Sequence, residues 1–148
     1  MQRFNFLLII GLITLLTSCS KEVKKESIII EKKLGSQAIE AFNEGKKALE
    51  EGDSLFAAKK FNEVEILFPQ SDLAPRSLLM AAYAYYFQDY YQDAVAELQR
   101  FLRVYPLHEN IDYAYYLLAI SYYEQIVDEK KDLQSIINAK ENFDIVIK

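Results

Sequence analysis

Residues 38–69, AIEAFNEGKKALEEGDSLFAAKKFNEVEILFP, contain the pattern that decides the fold. Four positions of this stretch recur 37 residues further along the chain with side chains of the same kind. The first set is Gly45, Ala57, Phe61 and Pro69, and the second is Ala82, Ala94, Leu98 and Pro106. A fixed period of this size is typical of stacked supersecondary units, none of which can bury its apolar face alone. The sequence therefore predicts a repeat protein, and two unrelated amphipathic hairpins are the alternative.

The spacing within each unit resembles the tetratricopeptide (TPR) helix hairpin. In that pattern a small residue occupies the first helix, Ala and an aromatic residue or Leu occupy the second, and Pro follows. Gly45 is expected to let the second helix approach closely, and Phe61 is expected to fill the hairpin core. Pro69 ends the second helix because Pro cannot continue it. We expect an all-α TPR superhelix of about three helix hairpins over residues 36–148, with repeats at about 36–71, 75–108 and 111–148.

The same pattern predicts six helices and the turns between them. Ser36 is the expected N-cap of the first helix, and Gly52 with Asp53 breaks the chain and caps the second. The expected helices are 36–51, 54–68, 75–88, 90–105, 111–127 and 133 to the end, with a charged loop at 128–132. The chain stops at Lys148, where a third Pro would be due and no polar capping helix has appeared, so we expect a C-terminally truncated chain.

Composition narrows the function classes. The net charge of −5 gives no electrostatic footprint for nucleic acid. The single Cys allows no internal disulfide. The only His, His108, has no second ligand nearby and is interpreted as a turn residue. The chain has no GxSxG, no Gly-rich phosphate loop and no Cys/His metal spacing, so no enzyme activity, metal or cofactor is expected.

The N-terminus, MQRFNFLLIIGLITLLTSC at residues 1–19, resembles a lipoprotein signal. Arg3 precedes an apolar run that is too short to span a bilayer as a lasting helix but suits a signal-peptide core. The last four residues, LTSC, resemble a bacterial lipobox. That resemblance implies a signal peptide at 1–18 and fatty acylation of Cys19, as with palmitate. An ordinary secretory signal with a chance Cys, or a short anchor, is the alternative.

The residues after the lipobox suggest where the domain lies. Ser20 stands where an Asp typically retains bacterial lipoproteins in the inner membrane, so the resemblance implies a lipid anchor in the outer membrane and a domain at its periplasmic face. Residues 19–35 alternate Lys and Glu around three Ile, and we interpret them as a lipidated, solvated tether.

All eleven Tyr lie between Tyr83 and Tyr123. In a TPR stack the first helices of the repeats line a concave groove, and Tyr offers a flat apolar face that suits peptide binding. The candidate peptide-binding residues are Lys46, Arg76, Tyr83, Tyr86, Phe87, Tyr113, Tyr116 and Tyr123. The same mapping places Ile39, Phe42, Leu49, Leu79 and Ile120 on the groove and Tyr85 and Tyr122 in the core. Packing of the Tyr side chains between repeats is the alternative.

The lipobox, the charged tether and the TPR units together resemble the BamD family of outer-membrane lipoproteins. Closer marks are NEGKKALEEGDSLFAAKKFNEVEILFPQS at 43–71 and PLHENIDYAYYL at 106–117, which looks like the family's Pro-x-His-x-Asn-Ile-Asp-Tyr segment. The resemblance covers about residues 15–148 and corresponds to the N-terminal portion of family members, which usually carry about five repeats.

This resemblance implies a component of the β-barrel assembly complex that helps to recognise, assemble and insert β-barrel proteins into the outer membrane. The implied partners are a BamA-like barrel protein, other assembly lipoproteins, unfolded outer-membrane β-barrel proteins, and the membrane through the lipid anchor. The BamA-contacting repeats lie in the family's C-terminal part, which this chain is expected to lack. A different periplasmic TPR lipoprotein, an adaptor for pilus assembly or for a peptidoglycan enzyme, is the alternative.

Overall fold

The computed structural model describes residues 26–127 and 132–148, with side chains of the first helix described from residue 33. The described helices are α1 (Glu26–Glu50), α2 (Ser54–Leu67), α3 (Ala74–Phe87), α4 (Tyr91–Val104), α5 (Ile111–Glu124) and α6 (Leu133–Val146). The chain divides into two compact units, residues 1–32 and 33–148, and the packing below belongs to the second. The predicted signal peptide and Cys19 lie outside the described residues.

The helices form three successive hairpins, α1 with α2, α3 with α4 and α5 with α6, and each helix from α2 onward packs against the next. Two apolar clusters make the core. The first lies around Phe61 of α2 and the second around Leu98 and Phe101 of α4. The described part of the chain contains no β-strand. The predicted all-α TPR fold is confirmed.

The first hairpin is closed by contact between α1 and α2. Phe61 is fully buried and its ring stands edge-on to that of Phe42, with centroids 5.5 Å apart. Gly45 of α1 faces the same ring, and a Cβ added there would lie 2.8 Å from Cε1 of Phe61. The predicted close approach at Gly45 is therefore confirmed, and the side chain that uses the space is that of Phe61.

The turns inside the first two hairpins occupy equivalent places 37 residues apart. Gly52 has a φ of +85°, and Asp89 of the second hairpin has a φ of +62°. Positive φ favours Gly, and Asp is among the few other residues that tolerate it. Asp53 caps α2, because its carboxylate accepts a hydrogen bond of 3.1 Å from the Phe56 N–H.

Two predicted helix ends are wrong. The first helix begins at Glu26, not at Ser36, whose hydroxyl donates instead to the Lys33 carbonyl inside α1. Gly35 and Ser36 resemble boundary signals, but a single Gly costs a helix only about 1 kcal/mol. At the other end of the chain α5 stops at Glu124, three residues before the predicted end. The remaining predicted ends lie within two residues of the observed ones.

Polar side chains join the second helices of the first two hairpins. Arg100 of α4 donates to Glu65 of α2 at 2.6 Å and to Glu97 of its own helix at 2.8 Å. Asn62 of α2 accepts from Arg100 at 3.1 Å and donates to Glu97 at 3.0 Å. Because Glu65 is only 8% exposed, its carboxylate depends on this partner for its charge. The network fixes how the first two repeats stack.

Candidate functional site

Four tyrosines of α3 and α5 form what we call the aromatic face: Tyr83, Tyr86, Tyr113 and Tyr116. Tyr83 and Tyr86 are half-buried against the core around Leu98, whereas Tyr113 and Tyr116 are 42% and 44% exposed. Burial raises the pKa of Tyr113, and the phenols of Tyr83, Tyr116 and Tyr86 raise it further. The four rings predicted to share one wall are therefore brought together.

Part of the aromatic face is shared with neighbouring helices. Tyr116 stands edge-on to Phe143 of α6, with ring centroids 6.3 Å apart. Tyr83 is tilted against Phe87, whose ring is 59% exposed at the end of α3, with centroids 6.2 Å apart. Tyr116 thus packs between repeats and is exposed at the same time, so both interpretations of the Tyr cluster apply to it.

A cleft of about 460 Å³ opens between α3 and α5 beside the aromatic face. It is lined by Arg76, Leu79, Met80, Tyr83, Asn110 and Tyr113. The Arg76 guanidinium carbon lies 5.5 Å from the centroid of the Phe42 ring, in cation–π geometry. This contact holds an exposed cation at the mouth of an aromatic cleft, where its donors can meet a carboxylate.

The opposite end of the aromatic face carries groups that the sequence analysis did not single out. The Tyr91 hydroxyl donates to Asp89 Oδ1 at 2.6 Å, and the Tyr91 ring lies 5.7 Å from the Tyr86 ring. The hydrogen bond to Asp89 raises the pKa of Tyr91 to about 12, with a further contribution from the Glu124 carboxylate. The pKa of Tyr86 is raised first by burial and then by Glu124.

The repeat register contained a signal for this end. Asp89 lies 37 residues after Gly52, so it occupies a turn position that needs positive φ, and Glu124 lies 37 residues after Phe87 at the end of the next A helix. Comparing equivalent positions for charge as well as for size would have found both carboxylates.

Several residues that the sequence analysis placed on the groove lie elsewhere. Phe42 and Leu79 are each only 6% exposed and belong to the core, although the edge of Leu79 reaches the cleft. Leu49 and Ile120 are also packed against the core. Their assignment to the groove is corrected because the core face and the groove face of a helix are adjacent.

Two candidate residues stand apart from the aromatic face. Lys46 is exposed on α1, and the described side chains make no ion pair with it. Tyr123 lines a second cleft, of about 900 Å³, between α5 and α6, together with Ile126, Ile136 and Phe143. Its phenol is not among those that raise the pKa of Tyr86 or Tyr113. The predicted core positions of Tyr85 and Tyr122 are confirmed, since both pack against the apolar clusters.

His108 occupies the turn before α5. Its Nδ1 accepts a hydrogen bond of 3.1 Å from the Asn110 N–H, and its ring lies 5.4 Å from that of Phe101. The interpretation of His108 as a turn residue is confirmed. Over residues 26–127 and 132–148, no three His, Cys, Asp or Glu side chains converge as metal ligands would. None of the helices in these ranges has the length and apolar character needed to cross a membrane.

Comparison with known proteins gives one family. The family model described as YfiO, outer membrane lipoprotein, matches residues 35–148. A protein of Caulobacter vibrioides named outer membrane protein assembly factor BamD is 36% identical over 115 residues, covering 77% of this chain and 36% of that protein. Its namesake in Rickettsia prowazekii is 33% identical over 146 residues, covering 99% of this chain and 55% of the relative. In Neisseria gonorrhoeae the identity is 46% over 61 residues, or 41% of this chain and 23% of the relative. The chain spans about a third of the first of these relatives and about half of the second.

Proposed function

This chain belongs to the YfiO family of outer membrane lipoproteins, and from that premise we propose that it helps to recognise, assemble and insert β-barrel proteins into the outer membrane. The printed names of the relatives, outer membrane protein assembly factor BamD, support this proposal. The chain acts by binding and not by catalysis. Its partners in the assembly complex are a BamA-like barrel protein and other assembly lipoproteins.

The observation that carries the proposal is the aromatic face with Arg76 at its margin. Tyr83, Tyr86, Tyr113 and Tyr116 lie close enough for their phenols to influence one another, and the cleft beside them is open to a ligand. Strands of an outer-membrane β-barrel alternate apolar and polar residues and often end on an aromatic residue. An extended segment of such a protein, before it folds, offers aromatic side chains on alternate positions to this face.

Apolar contact dominates the affinity in this account. Stacking between aromatic rings contributes about 0.5–1.5 kcal/mol per pair beyond burial. An exposed ion pair between Arg76 and a carboxylate contributes only about 0–1 kcal/mol. Added salt therefore weakens binding only slightly, because it screens the smaller of the two contributions.

The lipid anchor places this binding face at the membrane. Fatty acylation of Cys19 holds the chain in the outer membrane with its helices at the periplasmic face. Each buried methylene group of an acyl chain contributes about 0.8 kcal/mol, so two or more chains anchor stably. The anchor keeps the aromatic face near the site where β-barrel proteins are inserted.

A pair of matched peptides tests the proposed function. The full chain in detergent micelles is titrated against a fluorescent peptide copied from the terminal strand of an outer-membrane β-barrel protein, with its free carboxylate. The comparison peptide has its aromatic residues replaced by Ala at unchanged length and charge. The proposal expects the first peptide to bind at least tenfold more tightly. Equal affinities for the two peptides contradict recognition of aromatic segments.

A further inference from the structure

The aromatic face carries opposite charge at its two ends. Arg76 lies at the third residue of α3. At the far end α3 finishes at Phe87 and α5 at Glu124, and Asp89 follows in the turn. We call the groups at this far end, Tyr86, Asp89, Tyr91 and Glu124, the tyrosine–carboxylate edge. A ligand that crosses the aromatic face along α3 therefore meets a cation at one end and two carboxylates at the other.

The tyrosine–carboxylate edge is built from contacts as well as from charge. Asp89 is held by the 2.6 Å hydrogen bond from Tyr91, and Tyr91 lies against Tyr86 with ring centroids 5.7 Å apart. Glu124 lies near both phenols, because its charge raises the pKa of Tyr86 and of Tyr91. Two ring faces and two carboxylates thus converge on one exposed place.

The protein supplies little positive charge at this edge. Neither α3 nor α5 has a basic residue in its last turn, where the helix dipole is negative. Within residues 33–127 and 132–148, the ion pairs of the chain involve neither Asp89 nor Glu124. A cation brought by a ligand would meet carboxylates, helix ends and aromatic rings, all of which attract it.

We propose that the tyrosine–carboxylate edge receives a Lys or Arg side chain of the bound segment, and that this contact sets the direction of the segment on the aromatic face. The inference rests on the proposed function. The C-terminal carboxylate of the segment lies at Arg76, its aromatic side chains lie on the four tyrosines, and its basic side chain lies between Asp89 and Glu124.

The length of α3 sets the spacing in the ligand. Arg76 and Phe87 are eleven residues apart in one helix, which at about 1.5 Å per residue is roughly 16 Å. An extended peptide rises about 3.3 Å per residue, so roughly five residues span that distance. The preferred segment has its basic residue about five positions before its C-terminal residue.

A double-mutant cycle tests the contact. The full chain in detergent micelles is titrated by fluorescence anisotropy with a terminal-strand peptide that has Lys five positions before its free carboxylate, and with the same peptide carrying norleucine there. The protein forms are the parent and Asp89→Asn/Glu124→Gln. We expect each single change to weaken binding about fivefold, and the two together to weaken it hardly more than one alone.

Three controls make the outcome specific. Glu141→Gln removes an exposed carboxylate from α6 and should show no coupling with the peptide Lys. Moving the Lys to two positions before the carboxylate should abolish the coupling. Glu124→Gln alone provides a variant that disturbs no described hydrogen bond, and Asn at position 89 tolerates the positive φ, so both variants should fold as the parent does.

The failures are distinguishable. If the Lys peptide binds and the cycle shows independent effects, the inference is overturned and the proposed function stands. If the coupling is equal for both Lys positions, the inferred direction is wrong. If neither peptide binds the parent chain, the proposed function fails, and this inference fails with it.

Discussion

The ring of Phe61 occupies the space that a side chain at position 45 would need: a Cβ on Gly45 would lie 2.8 Å from Cε1 and 2.9 Å from Cδ1 of that ring. These two residues belong to the pattern that repeats after 37 positions, and they are where the spacing becomes a contact. The absence of a side chain on α1 lets a fully buried aromatic ring of α2 reach the hairpin core.

Gly45→Leu should destabilise the protein by about 1–3 kcal/mol, because the added side chain overpacks the contact with Phe61. The matched control is Gly35→Ala in the same helix, where nothing lies within 4 Å of an added Cβ. That control should be neutral or more stable by up to about 1 kcal/mol, since Ala is the better helix former. Urea denaturation followed by circular dichroism measures both. Equal midpoints for Gly45→Leu and the parent would show that the repeat register is wrong.

Arg100→Met should destabilise the stacking of the first two repeats by about 2 kcal/mol, because it leaves the buried Glu65 carboxylate without its partner. Arg103→Met, an exposed basic residue on the same helix, should change stability by no more than about 0.5 kcal/mol. The double variant Arg100→Met/Glu65→Met should recover most of the loss, since no unpaired charge remains. Thermal unfolding compares the four proteins, and a loss as large in Arg103→Met as in Arg100→Met would count against the network.

Stability should fall at alkaline pH. The pKa values of Tyr86 and Tyr113 are raised mainly by burial, and that of Tyr91 is raised to about 12 by its hydrogen bond to Asp89. A raised pKa means that the folded protein keeps protons which the unfolded chain releases near pH 10, so the stabilisation is full below that pH and is lost as the pH rises toward about 12.

Denaturation midpoints measured at about pH 9 and about pH 11 check the direction, and tyrosinate absorbance follows the ionisation itself. Tyr91→Phe should flatten the fall, because the group with the printed shift is gone. Tyr90→Phe, which removes a neighbouring hydroxyl for which no hydrogen bond is described, is the control. A midpoint that rises between the two pH values would contradict the assignment.

Cys19→Ala should leave a precursor that carries no lipid, because the thiol that accepts the acyl chains is absent. Intact-mass spectrometry of the membrane fraction should show residues 1–18 removed and acyl chains added in the parent, and neither change in the variant. Mature parent protein with a free Cys19 thiol and no lipid mass would rule out the anchor.

The sequence predicted most of the fold because one period fixed the helices, the turns and the small-to-large contact of Gly45 with Phe61. It misplaced the start of α1 because Gly35 and Ser36 have the composition of a helix boundary, while nothing packs near Gly35 to end the helix there. Helix continuity there depends on neighbouring side chains more than on the one residue that is a poor helix former.

The candidate site was predictable in part. Tyr83, Tyr86, Tyr113 and Tyr116 share a helical stripe, so their grouping follows from spacing alone. Phe42 was misassigned because its stripe borders both the core and the groove, and only the position of the Phe61 ring decides that it is buried. The tyrosine–carboxylate edge was missed because it joins two helix ends and a turn, which no single periodicity connects.

The central claim, that the aromatic face is the binding site for unfolded β-barrel segments, is tested most directly by anisotropy titration of one terminal-strand peptide against four forms of the chain. These are the parent, Tyr83→Ala/Tyr116→Ala, Arg76→Ala, and Tyr90→Ala, an exposed tyrosine outside the aromatic face. Circular dichroism confirms that each is folded, and Tyr113→Ala replaces the double variant if the loss of the Tyr116 contact with Phe143 unfolds it.

Losing two stacked rings removes about 1–3 kcal/mol, so the double variant should bind more than tenfold more weakly. Arg76→Ala should lose a few-fold and Tyr90→Ala nothing. If the folded tyrosine variants bind the peptide as the parent does, the aromatic face is not the binding site.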